Sequence, residues 1–186
     1  MKKDFGKKTW LYPMPVLMIA TYGADGTPDI MNAAWGGIHD HNEIGLCLSR
    51  SHKTVQNILD RGAFTVSIGE DKYVAEQDYL GITSANKVPD KISKTSFTLT
   101  KSAHVDAPVI NELSVVIECT LKSYDEESGY LIGNVVNVAV EESVLGENGL
   151  PDLDKFSPVI YDCATYDYRV LGKKVGLAYS DGKKIK

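Results

Sequence analysis

A chain of 186 residues with 43% hydrophobic and 24% charged residues suits one domain with a sizeable core, and it excludes a disordered protein. A net charge of −5 excludes a nucleic-acid surface built on bulk electrostatics, while leaving room for a local basic pocket. The three cysteines, Cys47, Cys119 and Cys163, form no CxxC pair and indicate neither a zinc site nor a disulfide framework. Met1–Gly6 lacks the apolar core of a signal peptide, and no long apolar run follows, so the expectation is a cytoplasmic chain with no membrane or nucleic-acid partner.

In chain order, Lys7–Tyr12 is an irregular lead-in, and Pro13 and Pro15 bar a helix. Val16–Thr21 reads as a near-continuous apolar strand. Gly23-Ala24-Asp25-Gly26 turns the chain, and Asp29–Trp35 returns as an antiparallel partner. Asn32-Ala33-Ala34-Trp35-Gly36-Gly37 then breaks ordinary strand chemistry. Small residues let a flat ligand approach the backbone, and Asn32 can both donate to and accept from a heteroaromatic edge. Taken alone, these residues better suit a strand end with Trp35 packed in the core. His39-Asp40-His41 is placed in a polar loop, where two histidines without a third ligand do not make a metal site.

Ile44–Leu48 reads as a buried strand. Ser49-Arg50-Ser51-His52-Lys53-Thr54 follows it, with Ser51 as the expected N-cap. Val55, Ile58 and Leu59 then fall on one helical face, and Gly62 ends the helix. A helix start offers unpaired N–H groups and partial positive charge, which suit an anion. Arg50 and Lys53 add charge, and Ser49, Ser51 and Thr54 add hydroxyls. The alternative is a capped surface helix with two solvated cations.

Ala63–Ile68 alternates cleanly as a strand. Tyr73–Leu80 is a short helix closed by Gly81, Thr83–Pro89 a polar loop and Phe97–Leu99 a short strand. Leu113–Tyr124 and Tyr130–Val140 form a hairpin about Asp125–Gly129. This β-branched content indicates an antiparallel barrel rather than a sandwich with exposed edges. Val159–Tyr161 is a last short strand, and Lys173–Tyr179 a short helix.

No carboxylate pair, GxSxG elbow or HExxH stands out, no nucleophile lies beside a base, and no GxGxxG opens a helix. What remains is an anion cradle at one helix start and a flat, small-residue shelf upstream. One ligand carrying a planar ring and a phosphate satisfies both.

On these residues the chain resembles the flavin reductase-like proteins with an FMN-binding split barrel, and it is most similar to their flavoredoxin branch. The resemblance rests on Asn32–Ile38, on Ser49–Thr54 with Asn57-Ile58, on Phe64–Ile68, on Tyr79–Ile82 with Ser84, and on Ile132–Val136. It implies a mainly β fold with short helices, a Greek-key antiparallel split barrel, with residues 1–186 as a single domain. It further implies bound FMN, a homodimer, and hydride or electron transfer through the flavin, with NADH or NADPH as donor. Two forms of that function follow: an NAD(P)H-dependent flavin reductase, or a flavoredoxin-type carrier with fixed FMN that passes electrons to a partner protein. By the resemblance, Asn32, Ala33, Ala34 and Trp35 line the ring. Ser49, Arg50, Ser51, His52, Lys53 and Thr54 belong to the phosphate side. Tyr79-Leu80-Gly81 and the Ser84–Lys87 loop approach the ring or the substrate. The tail Tyr166–Arg169 reaches a partner's flavin or packs on its own barrel. The site needs no protein nucleophile, because a flavin ring carries its own redox chemistry.

Overall fold

The computed structural model describes residues 1–185. Its strands are β1 (Met14–Pro15), β2 (Leu17–Tyr22), β3 (Pro28–Ala33), β4 (Gly36–Asp40), β5 (Glu43–Cys47), β6 (Ala63–Ile68), β7 (Leu99–Lys101), β8 (Pro108–Ile110), β9 (Val115–Asp125), β10 (Tyr130–Val140), β11 (Val159–Asp162) and β12 (Asp167–Val170). Helix α1 covers Lys53–Arg61 and α2 covers Val74–Ile82, with a 3-10 turn at Lys91–Lys94. Seven strands form one antiparallel sheet in the order β3-β2-β6-β9-β10-β5-β4. A small sheet, β1-β11-β12, and the β7–β8 hairpin complete the fold.

The two edges of the seven-stranded sheet, β3 and β4, are joined by two residues, Ala34 and Trp35. Ala33 and Gly36 therefore lie within roughly 11 Å at full chain extension. The sheet has to curl until its edges approach, yet among the described residues no ladder joins β3 to β4. The result is a barrel split along one seam, with Ala34 and Trp35 crossing the gap.

Burial explains the sequence pattern. Leu17 and Ile19 of β2 face into the curl with Leu46, Phe64, Val66 and Leu131. Val55 and Ile58 of α1 fill the same core. The other face of β2, with Met18 and Ala20 beside Ile30 of β3, is covered by Leu80, Phe97 and Ile110. A strand buried on both faces reads as a continuous apolar run, as Val16–Ala20 does. Gly62 ends α1 in the left-handed region at φ 68°, and its amide donates to the Ile58 carbonyl at 2.8 Å.

Several sequence expectations are corrected. Gly36–Asp40 is a strand, so His39 lies in an edge strand rather than a loop, hydrogen-bonded to Tyr130 Oη at 3.0 Å. His52, not Ser51, is the N-cap, with extended backbone and no side-chain cap bond. Helix α2 continues through Gly81 to Ile82. Lys173–Tyr179 forms no helix, and its apolar residues Val175, Leu177 and Tyr179 recur at every second position, which is not a helical period. Alternation along β5 buries Ile44 and Leu46 and turns Cys47 outward. No helix among the described residues is long and apolar enough to cross a membrane.

Candidate functional site

The seam opens into a cavity of two lobes. The larger, about 320 Å³, is walled by Asn32 and Ala33 at the end of β3, by Ala34 and Trp35 of the β3–β4 link, by Cys47 at the end of β5 and by Leu48 after it. Asp78, Gly81 and Ile82 of α2, with Tyr161 and Tyr168 of β11 and β12, close it. The smaller, about 160 Å³, lies at the start of α1 and is lined by Lys53, Thr54, Thr83, Ser84, Ala85 and Lys91. Met31, His52, Gly81 and Ile82 border both lobes, so a single ligand can span them.

The smaller lobe gathers unpaired donors and positive charge. The first helical amides have no intrahelical acceptor. Those of Lys53, Thr54 and Val55 make no hydrogen bond among the described residues, and Thr54 and Val55 are buried. The Lys53 side chain stands at the same helix start. Beneath the lobe, Asp29 of β3 accepts from Thr54 Oγ1 at 2.5 Å and pairs with Lys91 Nζ at 3.3 Å. Lys91 is 2% exposed and also donates to the Leu80 and Thr83 carbonyls at 3.2 and 2.8 Å. It ties the end of α2 to β3 and cancels the carboxylate that would repel an anion. Burial lowers the Lys91 ammonium pKa, and the attraction of Asp29 opposes that shift. Burial likewise lowers the His52 pKa, helped by the Lys91 charge and opposed by Asp29.

The larger lobe is mostly apolar. Trp35, Tyr161 and Tyr168 form a row, with ring centroids 6.2 Å and 6.1 Å apart. Asn32 supplies the polar edge. Its Nδ2 donates to the Gln77 carbonyl at 3.3 Å and to Tyr168 Oη at 3.4 Å, and Tyr168 donates to Asp78 at 2.9 Å. Burial and the bond to Asp78 push the Tyr168 hydroxyl up to about 12.

Residues 9–168 match the flavin reductase like domain family. The chain belongs to the flavin reductase-like family. It superposes on flavoredoxin of Desulfovibrio vulgaris (Miyazaki F) with a TM-score of 0.93 and 38% identity, over 98% of this chain and 100% of that one. Flavoredoxin from Methanosarcina acetivorans matches with a TM-score of 0.89 and 25% identity over the full length of both chains. An FMN-binding domain of flavin reductase-like enzyme from Shewanella baltica, 18% identical, matches in fold with a TM-score of 0.79 over 88% of each chain.

Within this flavin reductase-like split barrel, the residues expected from sequence divide. Asn32, Ala33, Ala34 and Trp35 come together in the larger lobe, and His52, Lys53 and Thr54 at the helix-start lobe. Ser49, Arg50 and Ser51 line neither lobe. Arg50 is exposed and paired with Glu126 of the β9–β10 turn. Ser84 and Ala85 border the smaller lobe rather than the larger, and Asn86 Nδ2 donates to the Ser51 carbonyl at 3.1 Å. Tyr168 packs in the cavity of its own chain. Asp29, Asp78, Lys91 and Tyr161 were not anticipated as site residues. A lysine and an aspartate 62 positions apart carry no local sequence signal of pairing.

Proposed function

We propose that this chain is an FMN-binding flavoprotein that moves hydride or electrons through a flavin seated across the two lobes. The observation that carries the reading is the joined cavity: a mostly apolar, aromatic-lined lobe with Asn32 at one edge, bordered in part by the same residues as a helix start whose amides lack acceptors. The residues present fit FMN. Ala33 and Ala34 leave room for a planar ring, and Trp35 and Tyr161 offer aromatic faces. The α1 amides and Lys53 hold the phosphate, with Arg50 reaching it from the rim and Ser49 and Ser51 beside it. Thr54 gives its hydroxyl to Asp29, so its share is its amide. One anion lobe and no second glycine-rich turn favour FMN over FAD.

When bound, FMN supplies a ring that takes hydride from NADH or NADPH and gives electrons to an acceptor. The protein orients that ring and screens it from water. Two forms of the function remain: an NAD(P)H-dependent flavin reductase of the cytoplasm, and a carrier with fixed FMN serving a partner protein. Similarity to a flavoredoxin at 38% identity favours the carrier. The exposed apolar residues Leu11, Val175 and Tyr179 on the two terminal arms support a homodimer, which light scattering reads as a mass near twice 20.4 kDa.

Flavin released by heat and resolved by chromatography is expected to be FMN; predominant FAD contradicts the reading. Steady-state NADH or NADPH oxidation that rises with added free flavin identifies a reductase. Reduction of bound FMN without such turnover identifies the carrier.

A further inference from the structure

Asn32 is held by its nitrogen, and the chemistry of its neighbours explains why. A backbone carbonyl only accepts, so the Gln77 carbonyl requires the amide nitrogen, not the oxygen. A phenol can accept or donate, and here Asp78 decides. Tyr168 has one hydroxyl hydrogen and gives it to Asp78, which leaves a lone pair for Asn32. Both hydrogens on Asn32 Nδ2 are then engaged. Asn32 Oδ1 has no partner among the described residues and is not a buried unpaired atom, so it is accessible, on a residue that lines the larger lobe. Gly81 makes the close packing possible. A Cβ there would stand 3.1 Å from Asn32 Cβ. Glycine inside a helix weakens it relative to alanine, so its place in α2 calls for such a reason.

We propose that Asp78 and Tyr168, together with the Gln77 carbonyl, fix the polarity of the Asn32 amide, and that the acceptor thus left facing the larger lobe selects a ring presenting an N–H. The proposal rests on the flavin reading. An oxidised isoalloxazine carries a single N–H, at N3, and that group is the donor the Asn32 oxygen takes. Tyr168 and Asp78 are positioning residues: they act through Asn32. A phenol hydroxyl is protonated across the physiological range, and burial and Asp78 raise the Tyr168 pKa further, so Tyr168 keeps its hydrogen and donates it to Asp78.

The test titrates flavin-free protein with FMN and with N3-methyl FMN, which lacks the donor. Wild type is expected to prefer FMN by about tenfold, the worth of one hydrogen bond. Tyr168→Phe keeps the ring against Tyr161 and removes the lone pair. Asp78→Ala frees the tyrosine hydrogen, so Tyr168 can donate to Asn32 Oδ1 and compete with the hold of the Gln77 carbonyl on the nitrogen. Either substitution is expected to cut the preference to about twofold or less, by weakening FMN while leaving the methylated ligand unchanged. Circular dichroism checks folding, and Asp78→Ala makes the same comparison if Tyr168→Phe does not fold. A packing role for Tyr168 would weaken both ligands equally and keep the preference, which overturns the proposal. A wild type that binds both ligands equally overturns it too, with the flavin reading intact. A wild type that binds neither overturns the flavin reading and this proposal with it.

Discussion

Lys91→Met is expected to lower the unfolding free energy by about 3–5 kcal/mol, the range for removing one partner of a buried ion pair. Methionine keeps the apolar stem and loses three donors. Asp29 is then left buried with Thr54 as its one remaining partner, and the Leu80 and Thr83 carbonyls lose their donor. Against a total stability of about 5–15 kcal/mol, that loss is large. Adding Asp29→Asn removes the orphaned charge, so the double variant is expected to lose less than the sum of the two single losses. Urea unfolding of the four proteins reads both results. A loss below about 1 kcal/mol for Lys91→Met would mean that water reaches the pair and that Lys91 is not the tie between α2 and β3.

Arg50→Ala is expected to weaken FMN roughly ten- to a hundredfold and to leave riboflavin nearly unchanged, because a charge-assisted bond to phosphate is worth about 1.5–3 kcal/mol. In the structure Arg50 pairs with Glu126 at the rim, with both side chains more than half exposed. An exposed pair of this kind is worth about 0–1 kcal/mol, so a phosphate dianion competes for the guanidinium at little cost. Arg50→Lys is expected to fall between, since an ammonium cannot make the planar paired bonds. Titration with both ligands decides. Equal weakening of riboflavin and FMN would place Arg50 outside the phosphate site.

What was legible in the sequence is what local patterns encode. The β9–β10 hairpin, β2 and β6 follow from alternation or unbroken apolar runs, and α1 follows from Val55, Ile58 and the Gly62 stop. Strand β4 was hidden because Gly36 and Gly37 have no β preference, and because edge pairing with β5 supplies what propensity does not. The end of α2 was misplaced because Gly81 reads as a stop. Contact with Asn32 and the Lys91 bonds to the Leu80 and Thr83 carbonyls account for the glycine inside the helix and the order at its end. The site was half legible. Asn32–Trp35 and His52–Thr54 carry their chemistry in adjacent residues. Tyr168 and Asp78, 90 positions apart, meet only once the barrel has curled.

The central claim is that the lobe walled by Asn32–Trp35 receives a flavin ring. The chain has two tryptophans, so Trp10→Phe leaves Trp35 as the sole indole emitter. Its fluorescence is followed while flavin-free protein is titrated with FMN. The account predicts strong quenching that saturates at one FMN per chain, because the ring comes to rest against Trp35. Unchanged Trp35 emission while FMN binds would put the flavin elsewhere, and no saturable binding at all would remove the flavin from this protein.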